Sequence, residues 1–169
     1  MAKVNTHVPA QWHDTVTSVR TSSDGALYAL GQYREEDGLG YRYVKFDNGT
    51  GNVASVAGSL CYSKDPTTSM WTVTMDVSDT HRNQVLGVFT AVIADLGFGW
   101  VQVRGYNAAV TTNGDDDIAA GDAIIASSAG DGTCDSTAAG TAPVAKVVGW
   151  ATTADIDNAN TVAVYLTLG

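Results

Sequence analysis

Residues 71 to 78, Trp-Thr-Val-Thr-Met-Asp-Val-Ser, place an apolar side chain at every second position. In a pleated strand successive side chains point to opposite faces, so this run predicts a β-strand. Trp71, Val73, Met75 and Val77 then share a buried face, while Thr72, Thr74, Asp76 and Ser78 face solvent. The same period returns in FGWVQVRGY, where Val101 and Val103 oppose Trp100, Gln102, Arg104 and Tyr106. It fixes the terms for the rest of the chain: short strands, each needing a partner and a core.

The flanking sequence supplies both. ALYALGQYR and YRYVKF, joined around Asp37-Gly38, read as a hairpin, because that dipeptide tolerates the backbone of a tight reversal. Asp47-Asn48-Gly49 then leads into NVASVAGSLCY, giving three or four short antiparallel strands over residues 26–62. LGVFTAVIADLG has no capping box and is rich in β-branched residues, which favours strand over helix. Further strands are expected at 108–112, 121–128, 144–152 and 161–169, and SAGDGTCDSTAAGTAP reads as a mobile surface loop.

The resulting fold class is all-β: a small antiparallel β-barrel or sandwich with an extended N-terminal arm and an N-terminal β-hairpin region. The organisation expected is an arm at residues 1–20, a β-hairpin region at 21–66 and a C-terminal β-barrel-like domain at 67–169, with a linker around Pro66. The arm contains Pro9 and shows no sustained period. Its apolar residues Val4, Val8, Trp12 and Val16 are the candidate contacts to a partner, since an exposed aromatic gains stability only by packing on something; packing of Trp12 on its own domain is the alternative.

Charge excludes one class of partner. The net charge is −9, and from residue 105 onward eight aspartates face a single lysine, Lys146. Nucleic-acid binding needs clustered Lys and Arg to displace counterions, so none is expected. The opening residues lack a basic segment followed by an apolar one, and the longest apolar run is too short to span a bilayer, so neither a secretory signal nor a membrane segment is expected.

The residues that could carry chemistry are sparse. His7, His13 and His81 form no spacing suited to a nucleophile and base, and the two glutamates, Glu35 and Glu36, fall in the hairpin turn. Cys61 and Cys134 lie far apart without metal-ligand spacing and are expected as reduced thiols. Asp115, Asp116 and Asp117 lack the ligand order of a calcium loop and read as a solvated turn. No enzyme activity, cofactor or metal is expected.

The order GFGWVQVRGY, AAVTT, IAAGDAIIASS, a small-residue loop, APVAKVVGWATT and VAVYLTLG over residues 97–169 resembles the C-terminal β-domain of tailed-phage capsid decoration (cement) proteins. LGQYREEDGLGYRYVKF is similar to their N-terminal segment. The resemblance implies a virion protein on the outer surface of an icosahedral capsid, assembled in the host cytoplasm, commonly trimeric, with the major capsid protein as partner. It carries over no site residues. The alternative reading is a glycan- or host-binding head-fibre or adhesin module using Trp12, Trp71, Trp100 or Trp150 as stacking platforms; exposed rings would favour it and buried ones would not.

Overall fold

A computed structural model describes residues 14–49, 51–77, 84–114, 118–137, 141–143, 145–155 and 160–169. The described residues form ten strands and no helix, all hydrogen-bonded into one sheet. The strands are β1 (Tyr33–Glu36), β2 (Leu39–Phe46), β3 (Leu60–Asp65), β4 (Ser69–Thr74) and β5 (Val85–Phe89), then β6 (Phe98–Thr111), β7 (Ala123–Ala126), β8 (Cys134–Thr137), β9 (Val147–Ala151) and β10 (Thr161–Thr167). The all-β expectation holds.

Asp37 and Gly38, at φ 52° and 78°, make the two-residue turn between β1 and β2. Both positions need positive φ, which suits Asp and Gly there. Strand β2 pairs with β1, runs parallel to β4 at Lys45 and Phe46, and pairs antiparallel with β6. Continuing through β3 and β5, the pairings β2–β4–β3–β5–β6 return to β2. Val44, Phe46, Cys61, Val73, Phe89 and Val101 fill the inside of this ring, with the Phe46 and Phe89 rings edge to face at 5.4 Å.

The boundary expected at residues 66/67 falls in the turn of the β3–β4 hairpin. There the Asp65 carboxylate accepts hydrogen bonds from the Thr67 amide (2.9 Å), the Thr67 hydroxyl (2.6 Å) and the amide and hydroxyl of Thr68. Those donors hold its pKa well below the usual carboxylate range. Pro66 belongs to a pinned turn, and the strands on either side of it pair from Tyr62 with Thr74 to Asp65 with Ser69.

Strand β6 serves two halves of the molecule. Its first half pairs with β2 and β5, and its second half pairs with β10, which carries β9, β7 and β8 beyond it. The two segments expected as separate strands, 97–106 and 108–112, are thus one strand. Gly105, at φ +90°, lies between the halves, and a Cβ there would meet Leu39 Cδ2 at 2.6 Å. Gln102 secures the irregularity: its side-chain amide donates to the carbonyls of Arg104 (3.2 Å) and Tyr106 (3.0 Å).

A second core fills the space between β3 and β5 on one side and the β6–β10–β9–β7–β8 strands on the other. Leu60 and Tyr62 of β3 point into it beside Ile124, Val148, Val164 and Leu166, while Cys61 between them faces the ring. Adjacent residues of β3 therefore serve different cores, and the architecture is sandwich-like. The presumed mobile loop contains β8, and Cys134 is fully buried in this second core. Its small residues permit close approach: Gly132, at φ +66°, lies against Ser59 and accepts the Leu60 amide at 2.7 Å.

Four further expectations are corrected. β4 ends at Thr74, and Thr74 is buried, its hydroxyl donating to Asn48 Oδ1 at 3.0 Å; the supposed solvent face is internal at this point. Trp71 is half-buried and Val77 packs on the second core, so the four apolar residues do not share one layer. The strand expected over LGVFTAVIADLG, residues 86–97, stops at Phe89, and in 53–59 Val53 and Val56 are exposed in irregular backbone before β3 begins.

Candidate binding surfaces

The outer face of the ring carries a buried aromatic cluster. Tyr43 and Trp100 lie 5.1 Å apart across the β2–β6 pair, and Tyr28 meets both at 5.2 Å. Residues 14–31 cover this cluster. Arg20 exchanges both backbone hydrogen bonds with Phe98, at 2.8 Å each; Thr90 donates its hydroxyl to the Val16 carbonyl at 2.7 Å; and Arg34 donates to the Asp14 carbonyl at 2.6 Å. A polar cleft of about 390 Å³ remains, with Tyr28, Tyr43 and Trp100 at its base and Asp14, Arg20 and Asp24 among its walls.

That packing corrects the expected arm. Val16, one of the four contact candidates, is half-buried on the protein's own aromatic cluster, and 14–20 is a tethered segment. Val4, Val8 and Trp12 lie outside the described residues. Deleting 1–20 removes the Arg20–Phe98 bridge and the Val16 packing and should cost at least about 2–3 kcal/mol. Urea unfolding of the truncated chain against the full one checks it.

A second surface has the opposite character. Tyr165 of β10 stands directly opposite Trp150 of β9 on one side and Tyr106 of β6 on the other. All three are about half exposed, at 48%, 50% and 50%. Neighbours Val164, Leu166 and Ala151 point the other way into the second core, so the rings stand on a packed base. Val148, the extra β9 residue where pairing with β7 shifts register, also turns into that core, leaving Trp150 outward.

The row ends against Ala123 of β7, opposite Trp150. Along the strands it is flanked by Thr167 and by Arg104, whose guanidinium lies 3.9 Å from the Glu35 carboxylate. Tyr106 also lines an open groove of about 420 Å³ with Gly58, Thr90, Gln102 and Asn107. In it the Asn107 amide donates to Gln102 Oε1 at 3.0 Å.

The other tryptophans named as platforms differ. Trp100 is core, and Trp71 is half-buried with the Arg42 guanidinium 5.2 Å from its ring centre. Sequence reasoning missed Tyr106 and Tyr165. The available signal was in VAVYLTL, where Tyr165 falls out of step with Val162, Val164 and Leu166.

Titratable groups offer no assembled site among the described residues. No three His, Cys, Asp or Glu side chains gather to hold a metal ion there. Cys61 and Cys134 are free and buried; burial raises both thiol pKa values, that of Cys134 to about 12, which makes them poor nucleophiles. His7, His13, His81 and Asp115 to Asp117 lie outside the described residues. Among the described residues no helix is long and apolar enough to cross a membrane.

Comparison of the chain with family models, curated proteins and solved structures finds no match.

Proposed function

We propose that this chain is a virion structural protein that binds the outside of an icosahedral capsid and stabilises it, working through surfaces and without chemistry. The observation that carries the reading is the agreement between resemblance and architecture. Residues 97–169, whose feature order is similar to decoration proteins, supply β6 through β10, a contiguous set of strands in the sheet. β1 stands at one end of the strand order, and a strand at the end of a sheet has one edge to offer a partner; β8, at the other end, has its outer edge engaged at Cys134 by a bridge to Thr112. The aspartate-rich composition after residue 105 favours solubility of a particle carrying many copies.

In this reading the major capsid protein is the partner, and the chain assembles as a homotrimer matched to local threefold points of the shell. Co-sedimentation with purified capsids, together with sedimentation velocity of the free protein, tests both parts. Saturable pelleting at a fixed ratio to the capsid subunit, with a trimer on the shell, is the expected result. A chain that stays in the supernatant contradicts attachment, and a strict monomer both free and bound contradicts the trimer.

A further inference from the structure

We propose that the Tyr106–Tyr165–Trp150 row is a binding platform for a neutral saccharide chain. Adjacent strands lie about 4.8 Å apart, so three rings in direct register cover about 10 Å, room for consecutive sugar rings laid across the strands. Each ring is about half exposed. A pyranose presents a face of C–H groups, which packs on an aromatic ring, and a rim of hydroxyls, which needs polar partners.

The surroundings supply that rim. On one side of the row stand Thr167 and the Arg104–Glu35 pair. At the Tyr106 end the groove offers Asn107. The Gln102 amide is buried and already bonded to the strand's own carbonyls, so it holds Asn107 in place through the 3.0 Å contact. Hydroxyl, amide and charged groups thus stand beside the rings, together with the small aliphatic side chains of Ala123 and, in the groove, Ala57, Ala108 and Ala109.

Charge selects among sugars. Arg104 is offset by Glu35, and the sequence after residue 105 carries eight aspartates against one lysine. An anionic polysaccharide would meet repulsion, whereas an uncharged one would not. The base of the row is set by Val164, Leu166 and Ala151 in the core, so little ordering cost accompanies binding.

Tryptophan fluorescence titrations with neutral malto-, cello-, xylo- and chito-oligosaccharides, with sulfated heparin fragments as counter-probe, test the proposal on the full chain. At least one neutral series should produce a saturable shift at millimolar concentration or below, and heparin fragments none. Since Trp150→Ala removes the reporting ring, affinity in it and in Tyr165→Ala is read by calorimetry. Each should bind at least about tenfold more weakly, the loss of roughly one stacked ring. Circular dichroism and melting temperature should stay near wild type, because both side chains are half exposed.

Absence of binding to every neutral series, binding unchanged in both Trp150→Ala and Tyr165→Ala, or a preference for heparin fragments would each overturn the assignment. So would variants that bind no saccharide in either form yet lose capsid attachment, which would make the row a protein interface. Capsid co-sedimentation of the same variants keeps this result separate from the proposed virion role.

Discussion

Val73→Asp and Thr74→Asp should each destabilise the protein by about 3 kcal/mol or more, although the two side chains leave β4 on opposite faces. Val73 lies fully buried inside the ring, where a carboxylate would have no partner. Thr74 is only 2% exposed; its hydroxyl donates to Asn48 Oδ1 and accepts the Asp76 amide at 3.0 Å. An aspartate there would set a negative charge against the Asn48 oxygen and near Asp76. Thr74→Val keeps the volume and loses the hydrogen bonds, so it should cost about 1–2 kcal/mol. Met70→Asp, on an exposed position of the same strand, should stay within about 0.5 kcal/mol. Urea midpoints at constant slope compare the four. A mild Thr74→Asp would mean that this face of β4 is open to water.

Trp100→Ala should be the most damaging aromatic truncation, at about 3–5 kcal/mol, because it empties the centre of the cluster that both builds the ring's outer face and seats residues 14–31. The loss should show locally as well as globally. With Tyr28 deprived of one of its two ring partners, Arg20 should become accessible to trypsin under native conditions, whereas in wild type it is bridged to Phe98 on both sides. Trp100→Phe retains a ring and should recover most of the stability. Equal proteolysis of wild type and Trp100→Ala would show that the segment is held by its hydrogen bonds alone.

Local rules made part of this fold readable. Asp37-Gly38 announced its turn because both residues tolerate positive φ, and the runs around 123–126, 147–151 and 161–167 announced strands through their β-branched content. Other features depend on which distant strand lies alongside. A period of two indicates one buried face only while one core is present; β3 serves two cores, and Thr74 of β4 is buried beside Asn48 despite its polarity. The segments FGWVQVRGY and AAVTT looked like two strands, yet they form one strand shared by both halves, with Gly105 as its irregular point. SAGDGTCDSTAAGTAP looked mobile by composition, whereas it contains β8, and Gly132 packs closely on β3 where a side chain would meet Ser59.

The candidate site divides the same way. Trp150 was named among the possible platforms, but its exposure depends on the register shift at Val148, and its alignment with Tyr165 and Tyr106 depends on two non-local pairings. No count of residues within one segment contains that information. Trp100 and Trp71 were equally plausible platforms by type. One is buried beneath residues 14–31, and the other lies under an arginine.

The virion role is tested most directly by the thermal stability of the particle itself. Genome-filled particles stripped of this protein should release their DNA at a lower temperature than native ones, and adding back the purified chain to saturation should restore the native release temperature. Particles that bind the chain to saturation without any change in release temperature, or that never carry it, would contradict the account.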